Sequence, residues 1–267
     1  MGGGQSLKLS RGNGFAYVEG AKHVAHCNNS RKIAFTLAEV LITLGIIGVV
    51  VAMTMPSLIA NYQKKVTANR LKKSYSLIGQ SLKQMQAANE GIEPRYMPFV
   101  YQKWNHPSYL DLDMFVDEFS NYIGHVKVTK TNKNQSDPFI MCMPEGTNKI
   151  YRNAFNQELT GGLVAPPAYV FELKDGSCLG IMKRGGWNWG DDGYLYFWVD
   201  IDGNAGANKL GRDLFLFQYD PDGVYKPVEA WQRTCRENNS NYGWNVGVSC
   251  SKYIMDSNWE IPKSYPW

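Results

Sequence analysis

The chain is poor in what catalysis ordinarily uses. It has four histidines in 267 residues, and beyond residue 34 only His106 and His125 remain. Neither stands beside a Cys, Ser or carboxylate pattern of the kind that builds a triad or a metal site. No glycine-rich loop of the phosphate-cradling type occurs. Cys-x-x-Cys spacing is missing too, which removes zinc-ribbon and thioredoxin-like chemistry. There are no internal repeats or low-complexity tracts, so nothing points to a solenoid or a linker-dominated chain. The expectation is a protein that is not an enzyme and requires no cofactor.

Net charge is also scarce once its position is noted. The formal charge is +4, and residues 1–34 hold all of it: Lys8, Arg11, Lys22, Arg31 and Lys32 against Glu19 alone. The other 233 residues carry 23 basic and 23 acidic side chains. A neutral body gives no electrostatic case for contact with nucleic acid. Cysteine divides at the same place, with Cys27 in the basic leader and Cys142, Cys178, Cys235 and Cys250 in the body. An even set of four suits an oxidising, extracytoplasmic space. Three pairings are possible, against the alternative of four buried thiols. The favoured one is Cys235–Cys250, a short loop near the C-terminus, with Cys142–Cys178 as the second bridge.

What the chain does have is one long apolar run. Phe35 to Met55 reads FTLAEVLITLGIIGVVVAMTM, about 20 residues, the length a helix needs to cross a bilayer at roughly 1.5 Å per residue. Arg31 and Lys32 precede it, the positive flank that holds an N-terminus on the cytoplasmic side. Glu39 is the exception inside the run. A carboxylate at a membrane-helix centre costs about 2.5–3.5 kcal/mol, and no Lys or Arg follows before Lys64. A cut just before Phe35 would create a cation, a new α-amino group four residues away. In a row of identical subunits, Glu39 of one chain then pairs with its neighbour's amine and sets axial register. The plainer alternative is a Glu39 solvated at the membrane surface. A secretory signal cut after the run is the competing topology; Glu39 and the run's length argue against it.

A basic stretch, a small residue and then Phe35-Thr36-Leu37-Ala38-Glu39 leading an apolar run resembles the class III signal of type IV prepilins and type II secretion pseudopilins. The resemblance implies that a membrane prepilin peptidase cuts between Ala34 and Phe35 and methylates the Phe35 amine. It implies roles for Gly45 and Gly48 within the helix, and for Pro56 at its outer end, where the helix loosens on assembly. Proline removes a backbone donor and clashes with the preceding turn, which agrees. The residue before the cut is usually Gly in this family and is Ala34 here. By the same resemblance the partners are the peptidase, sister subunits and an inner-membrane assembly platform. The protein would be a single-pass inner-membrane precursor with an extracytoplasmic head, later part of a pilus or a periplasmic pseudopilus. The rival of another class is a single-pass anchored binding protein that does not polymerise.

Past Pro56 the apolar residues thin to one face. Ile59, Tyr62, Val66, Leu71, Tyr75, Ile78, Leu82 and Met85 recur mostly at steps of three and four. Lys64, Lys65, Arg70, Lys72, Lys73 and Lys83 fill much of the remainder, a solvated face or one for anionic headgroups. Gly91 and Pro94 are stop signals, so one helix is predicted from near Phe35 to near Asn89. Ala168–Lys174, an Asp175-Gly176 turn and Cys178–Lys183 read as a hairpin. Val126–Lys130, Tyr194–Ile201 and Asp213–Tyr219 are further strand candidates, with a turn at Asp220–Gly223. The tail from Asn238 to Trp267 is expected to fold back on the sheet.

Two loops carry motifs. Asp200, Asp202, Asn204 and Asp213 gather oxygen ligands about a Gly turn, as calcium requires. The twelfth position of an EF-hand reading is Gly211 rather than Glu, and the alternative is a plain Asx-rich turn. Arg184–Gly193 holds Trp187 and Trp189 among glycines, as core pegs or as stacking rings. The predicted class is α+β, a long N-terminal helix packed on a small antiparallel sheet of three or four strands. The organisation is a leader at 1–34, a membrane and assembly helix at 35–58, an amphipathic continuation at 59–90 and a globular head at 91–267.

Overall fold

The computed structural model describes residues 36–103, 106–131, 141–142, 151–154, 156–159, 166–183, 195–203, 205–229, 235, 247–265 and 267. The leader, the Ala34/Phe35 cleavage position, Tyr194, the Trp187/Trp189 loop and the tail segment 238–246 lie outside them. The first element is α1, Leu37–Ala88. It ends as a helix should, with Glu90 and Gly91 in left-handed backbone and the Gly91 N–H donating to the Gln86 carbonyl at 2.9 Å. Those bonds satisfy carbonyls that the last turn leaves open.

The chain forms two compact units, Met1–Ala52 and Met53–Trp267. The described part of the first is helix, and from Thr36 to Ala52 every residue is exposed. In the second, α1 buries Ala68, Leu71, Ser74, Ile78, Ser81, Leu82 and Met85, spaced three, four and seven apart on one face. The buried stripe therefore starts later than the sequence suggests. Ile59 and Tyr62 are exposed, because the five-residue step from Val66 to Leu71 breaks the three-and-four spacing and turns the earlier residues off the buried face.

After α1 come β1 (Val100–Lys103), β2 (His106–Leu110), α2 (Leu112–Ser120), β3 (His125–Lys130), β4 (Tyr169–Leu173), β5 (Cys178–Lys183), β6 (Leu195–Asp200), β7 (Leu214–Tyr219), β8 (Tyr225–Pro227) and α3 (Cys250–Asp256). Strands β3 to β8 form one antiparallel sheet in sequence order, and β1 pairs with β2 apart from it. The class is α+β as expected, with six strands in the main sheet rather than three or four. The β1–β2 hairpin, α2, β8 and α3 fall in mixed or aromatic-rich segments whose pattern is not periodic enough to name an element. The N-terminus of α2 is a clear case of local chemistry: Asp111 accepts from the N–H groups of Asp113 and Met114, a helix cap.

The inner strands β4 to β7 are buried on both faces, so they read as near-continuous apolar runs. On one face Phe171, Leu173, Leu179, Ile181, Phe197, Val199, Phe215 and Phe217 join the α1 stripe and Phe115 and Phe119 of α2. On the other, Val170, Cys178, Trp198, Leu214 and Leu216 meet Met141, Tyr151, Leu159 and Val248. Disulfides join Cys142 to Cys178 on this second face and Cys235 to Cys250 at the start of α3. Closing a loop of 15 residues in the second bridge restrains the unfolded chain by about 3 kcal/mol. The tail does fold back: Ser251 donates to the Leu216 carbonyl at 2.8 Å, and Trp259 lies 5.4 Å from Tyr75 of α1.

Phe119 is central to the first face. It stacks on Phe115 at 5.6 Å and meets Phe171 and Phe197 edge-on at 6.0 and 5.9 Å. We expect Phe119→Ala to destabilise the protein by about 3–5 kcal/mol, read as a fall in the denaturation midpoint of the full chain in detergent. A change within experimental error would mean that α2 is not part of this core.

Candidate functional site

The first turn of α1 carries the charged residue that the apolar run should not tolerate. The Glu39 carboxylate accepts from the Thr36 N–H at 2.9 Å and from the Thr36 hydroxyl at 3.0 Å. In return the Glu39 N–H donates to the Thr36 hydroxyl at 3.2 Å. This reciprocal pair is a capping box, the Thr-x-x-Glu pattern that satisfies two orphan donors of a helix start. The pattern is legible in the sequence as Thr36-Leu37-Ala38-Glu39. Glu39 is thus locally held by Thr36, at the end of the helix where a negative charge is favoured. Among the described residues its partner is Thr36 and not a basic side chain.

Beyond the box, the helix is long and apolar enough to cross a membrane, and none of its most apolar stretch is buried. Leu41, Ile42, Leu44, Ile46 and Ile47 are all more than half exposed. Gly45 and Gly48 lie on this stretch, and a β-carbon placed on either meets nothing within 4 Å. Packing among the described residues therefore gives no reason for glycine at either position. Small residues on a membrane helix let another helix approach closely. Pro56 sits within α1 and the helix continues through it. Lacking an N–H, it leaves the Ala52 carbonyl without its usual helical donor, at the residue where the two units divide.

In the acidic loop after β6 the Asp200 and Asp213 carboxylates are hydrogen-bonded within the chain. Asp200 is fully buried. One of its oxygens accepts from the N–H groups of Asp202 at 3.3 Å and Gly203 at 2.8 Å, and the other from the Tyr151 hydroxyl at 2.5 Å. Asp213 accepts from the N–H groups of Ala207, Asn208 and Lys209 at 2.6, 2.7 and 2.5 Å. Asp200 and Asp213 thereby spend their oxygens on shaping the loop. Gly203 has a positive φ of 59° and lies so close to the Gly176 carbonyl that a side chain would collide with it. Gly206, at φ 100°, similarly leaves room for the Asp202 carboxylate. Among the described residues no group of three or more His, Cys, Asp or Glu side chains is arranged to hold a metal. Asn204 lies outside the described residues. Tyr151, which locks Asp200, had no signal in sequence: it lies 49 residues away.

Burial, then the Asp213 and Asp202 charges, pushes the Asp200 carboxyl well above the usual range. Burial and the Asp213 charge push Asp202 up to about 6, with Arg70 pulling the other way. Burial raises Asp213 as well, against the backbone donors that favour its charged form. No family model, no curated protein and no solved structure matches the chain.

The acidic loop sets a pH dependence whose sign follows from those raised values. In the folded state these carboxyls hold protons that the unfolded chain releases near pH 4, so folding is favoured more strongly at mildly acid pH. That advantage is lost as pH climbs through about 6 and above. We expect the melting temperature to fall between pH 5 and 8, and Asp202→Asn to flatten the slope. A second readout concerns the metal: excess EDTA should leave the melting temperature unchanged if the loop is held by its own donors. A drop that added calcium reverses would assign the loop a cation instead.

Proposed function

We propose that the chain is a structural subunit of a type IV pilus-like filament, made as a single-pass membrane precursor and assembled through α1. The observation that carries this reading is the exposed apolar half of α1, headed by one capped carboxylate and bearing two glycines that its own fold does not require. In this reading a prepilin peptidase cuts between Ala34 and Phe35 and the Phe35 amine is methylated. The apolar surface first faces lipid in the inner membrane and then faces sister helices in the filament. Glu39 sits in the first turn with Thr36 fixing its carboxylate, a short distance in sequence from the new amine. Pairing with the amine of a neighbouring subunit would register one helix against the next. The four cysteines, joined as two bridges, suit a head outside the cytoplasm. The same features serve a pseudopilin of a type II secretion system, a subunit of a shorter, periplasmic filament built on one principle.

The capping box dictates which substitution is informative. Glu39→Ala removes the cap and the charge together, whereas Glu39→Gln keeps the box, since Gln serves at that position as well, and removes only the charge. We expect Glu39→Gln to insert in the membrane normally and to be lost from filaments, measured by immunoblotting sheared surface or periplasmic filaments. Normal incorporation would remove Glu39 as the register charge. If the native chain forms no filament at all and remains monomeric in the membrane, the anchored binding protein is the correct class. Intact mass gives the second test: a chain beginning at Phe35 with one added methyl group is expected, and a chain retaining Arg31–Ala34 would overturn the processing step.

A further inference from the structure

The charge on α1 is one-sided. Between Glu39 and Glu90 there is no acidic residue, while Lys64, Lys65, Arg70, Lys72, Lys73 and Lys83 are all basic. The remaining 179 residues after Ala88 carry 17 basic against 22 acidic side chains, so the helix holds a cationic excess that the rest of the body balances. Three of the six cations are engaged within the chain. Lys64 lies over the Trp267 ring at 5.9 Å, Arg70 acts on Asp202, and Lys73 pairs with Asp175 at 2.8 Å. Among the described residues no ion pair or ring contact engages Lys65 or Lys72.

Those two lysines share a stripe with exposed apolar residues. Leu58, Tyr62, Lys65, Asn69, Lys72 and Ser76 follow at steps of four, three, four, three and four, and all are exposed. That spacing keeps them on one helix face, opposite the one that buries Leu71, Ile78 and Leu82. The stripe begins apolar, with Leu58 65% and Tyr62 69% exposed, and turns basic without a break. It follows directly in chain order on a stretch apolar enough to cross a membrane. An aromatic ring followed by lysines is the sequence of groups met on leaving hydrocarbon for the headgroup layer.

We infer that Lys65 and Lys72 bind anionic phospholipid headgroups at the membrane surface from which the body emerges. Lys65 lies about 4.5 Å along the helix beyond Tyr62, at 1.5 Å per residue. The headgroup region adds roughly 5–8 Å to each side of the hydrocarbon core, so Lys65 falls inside it. Lys72 is about 15 Å beyond Tyr62, still within about one Debye length of the charged surface at physiological salt. A positive-inside argument does not apply to these cations, because a long C-terminal domain crosses regardless of its charge. An acidic patch on a second copy of this chain is the competing occupant. The membrane is favoured because it is present next to this segment before any filament forms.

The inference rests on the membrane-anchored half of the proposed function, and flotation of the full chain with purely zwitterionic phosphatidylcholine vesicles tests that half separately. With anchoring established, the full chain in detergent is offered equal phosphatidylglycerol and phosphatidylcholine, and retained lipid is read by native mass spectrometry. We expect phosphatidylglycerol to be retained preferentially. Lys65→Gln/Lys72→Gln should lose that preference by roughly fivefold per lysine, and Lys65→Arg/Lys72→Arg should keep it. High salt should weaken it. Both pairs are exposed, and unchanged melting temperatures would show intact folds. The inference is overturned if the Gln pair retains phosphatidylglycerol as wild type does. It is equally overturned if carbodiimide links Lys65 to a second copy as efficiently in phosphatidylcholine vesicles as in those containing phosphatidylglycerol.

Discussion

A six-stranded sheet with two apolar faces needs two covers, and the contact between α1 and one of those faces is what the remainder of the second unit depends on. Leu71, Ile78, Leu82 and Met85 lie with Phe197, Phe215 and Phe217 in one core, each fully or almost fully withdrawn from water. Buried side chains of this size contribute about 1.5–3 kcal/mol each relative to exposure. Around that seam the polar groups arrange themselves locally. The Tyr75 hydroxyl donates to the Tyr225 carbonyl at 3.0 Å, and Ser81 donates to the Leu77 carbonyl at 3.0 Å with the Tyr122 carbonyl also in reach at 3.2 Å. The helix thus joins both ends of the chain's order, from the loop after α2 to β8.

The same helix meets an opposite requirement in its first half. Leu41, Ile46 and Val50 are each more than half exposed there, so that half presents apolar surface on every side. An element that is apolar all round belongs in a protein core or in lipid. One helix therefore presents two kinds of surface, and the change between them is visible in the residues. The outward face of the lipid-like half continues through Leu58 and Tyr62 into lysine, while the inward face becomes the stripe that holds the head.

Charge is managed by hydrogen-bond donors of the chain itself in two places. At Glu39, Thr36 provides both donors. In the loop after β6, five backbone N–H groups and one tyrosine hydroxyl hold Asp200 and Asp213. In each case a carboxylate that looks like a ligand or an ion-pair partner in the sequence first satisfies the backbone. For Glu39 this leaves a carboxylate of fixed direction at the start of an exposed helix.

Legible in the residues alone were the long helix, its apolar first half, its stop near Gly91 and five of the strands. These rest on period, length and turn chemistry within one segment, and nothing distant can override a run as uniform as Phe35–Met55. The capping box at Thr36 and Glu39 was equally local and readable. What only the tertiary structure decided was where apolar period becomes burial. Ile59 and Tyr62 precede a five-residue step in the apolar series, from Val66 to Leu71, and are exposed, while Ile78 and Leu82 meet the sheet. It also decided the sheet's full extent, since β8 is three residues long and exists because Phe217–Tyr219 offer it an edge. The fate of Asp200 depended on Tyr151, a partner 49 residues distant. Spacing along a chain sets which side chains share a face; which face finds a partner is settled only when distant segments pack.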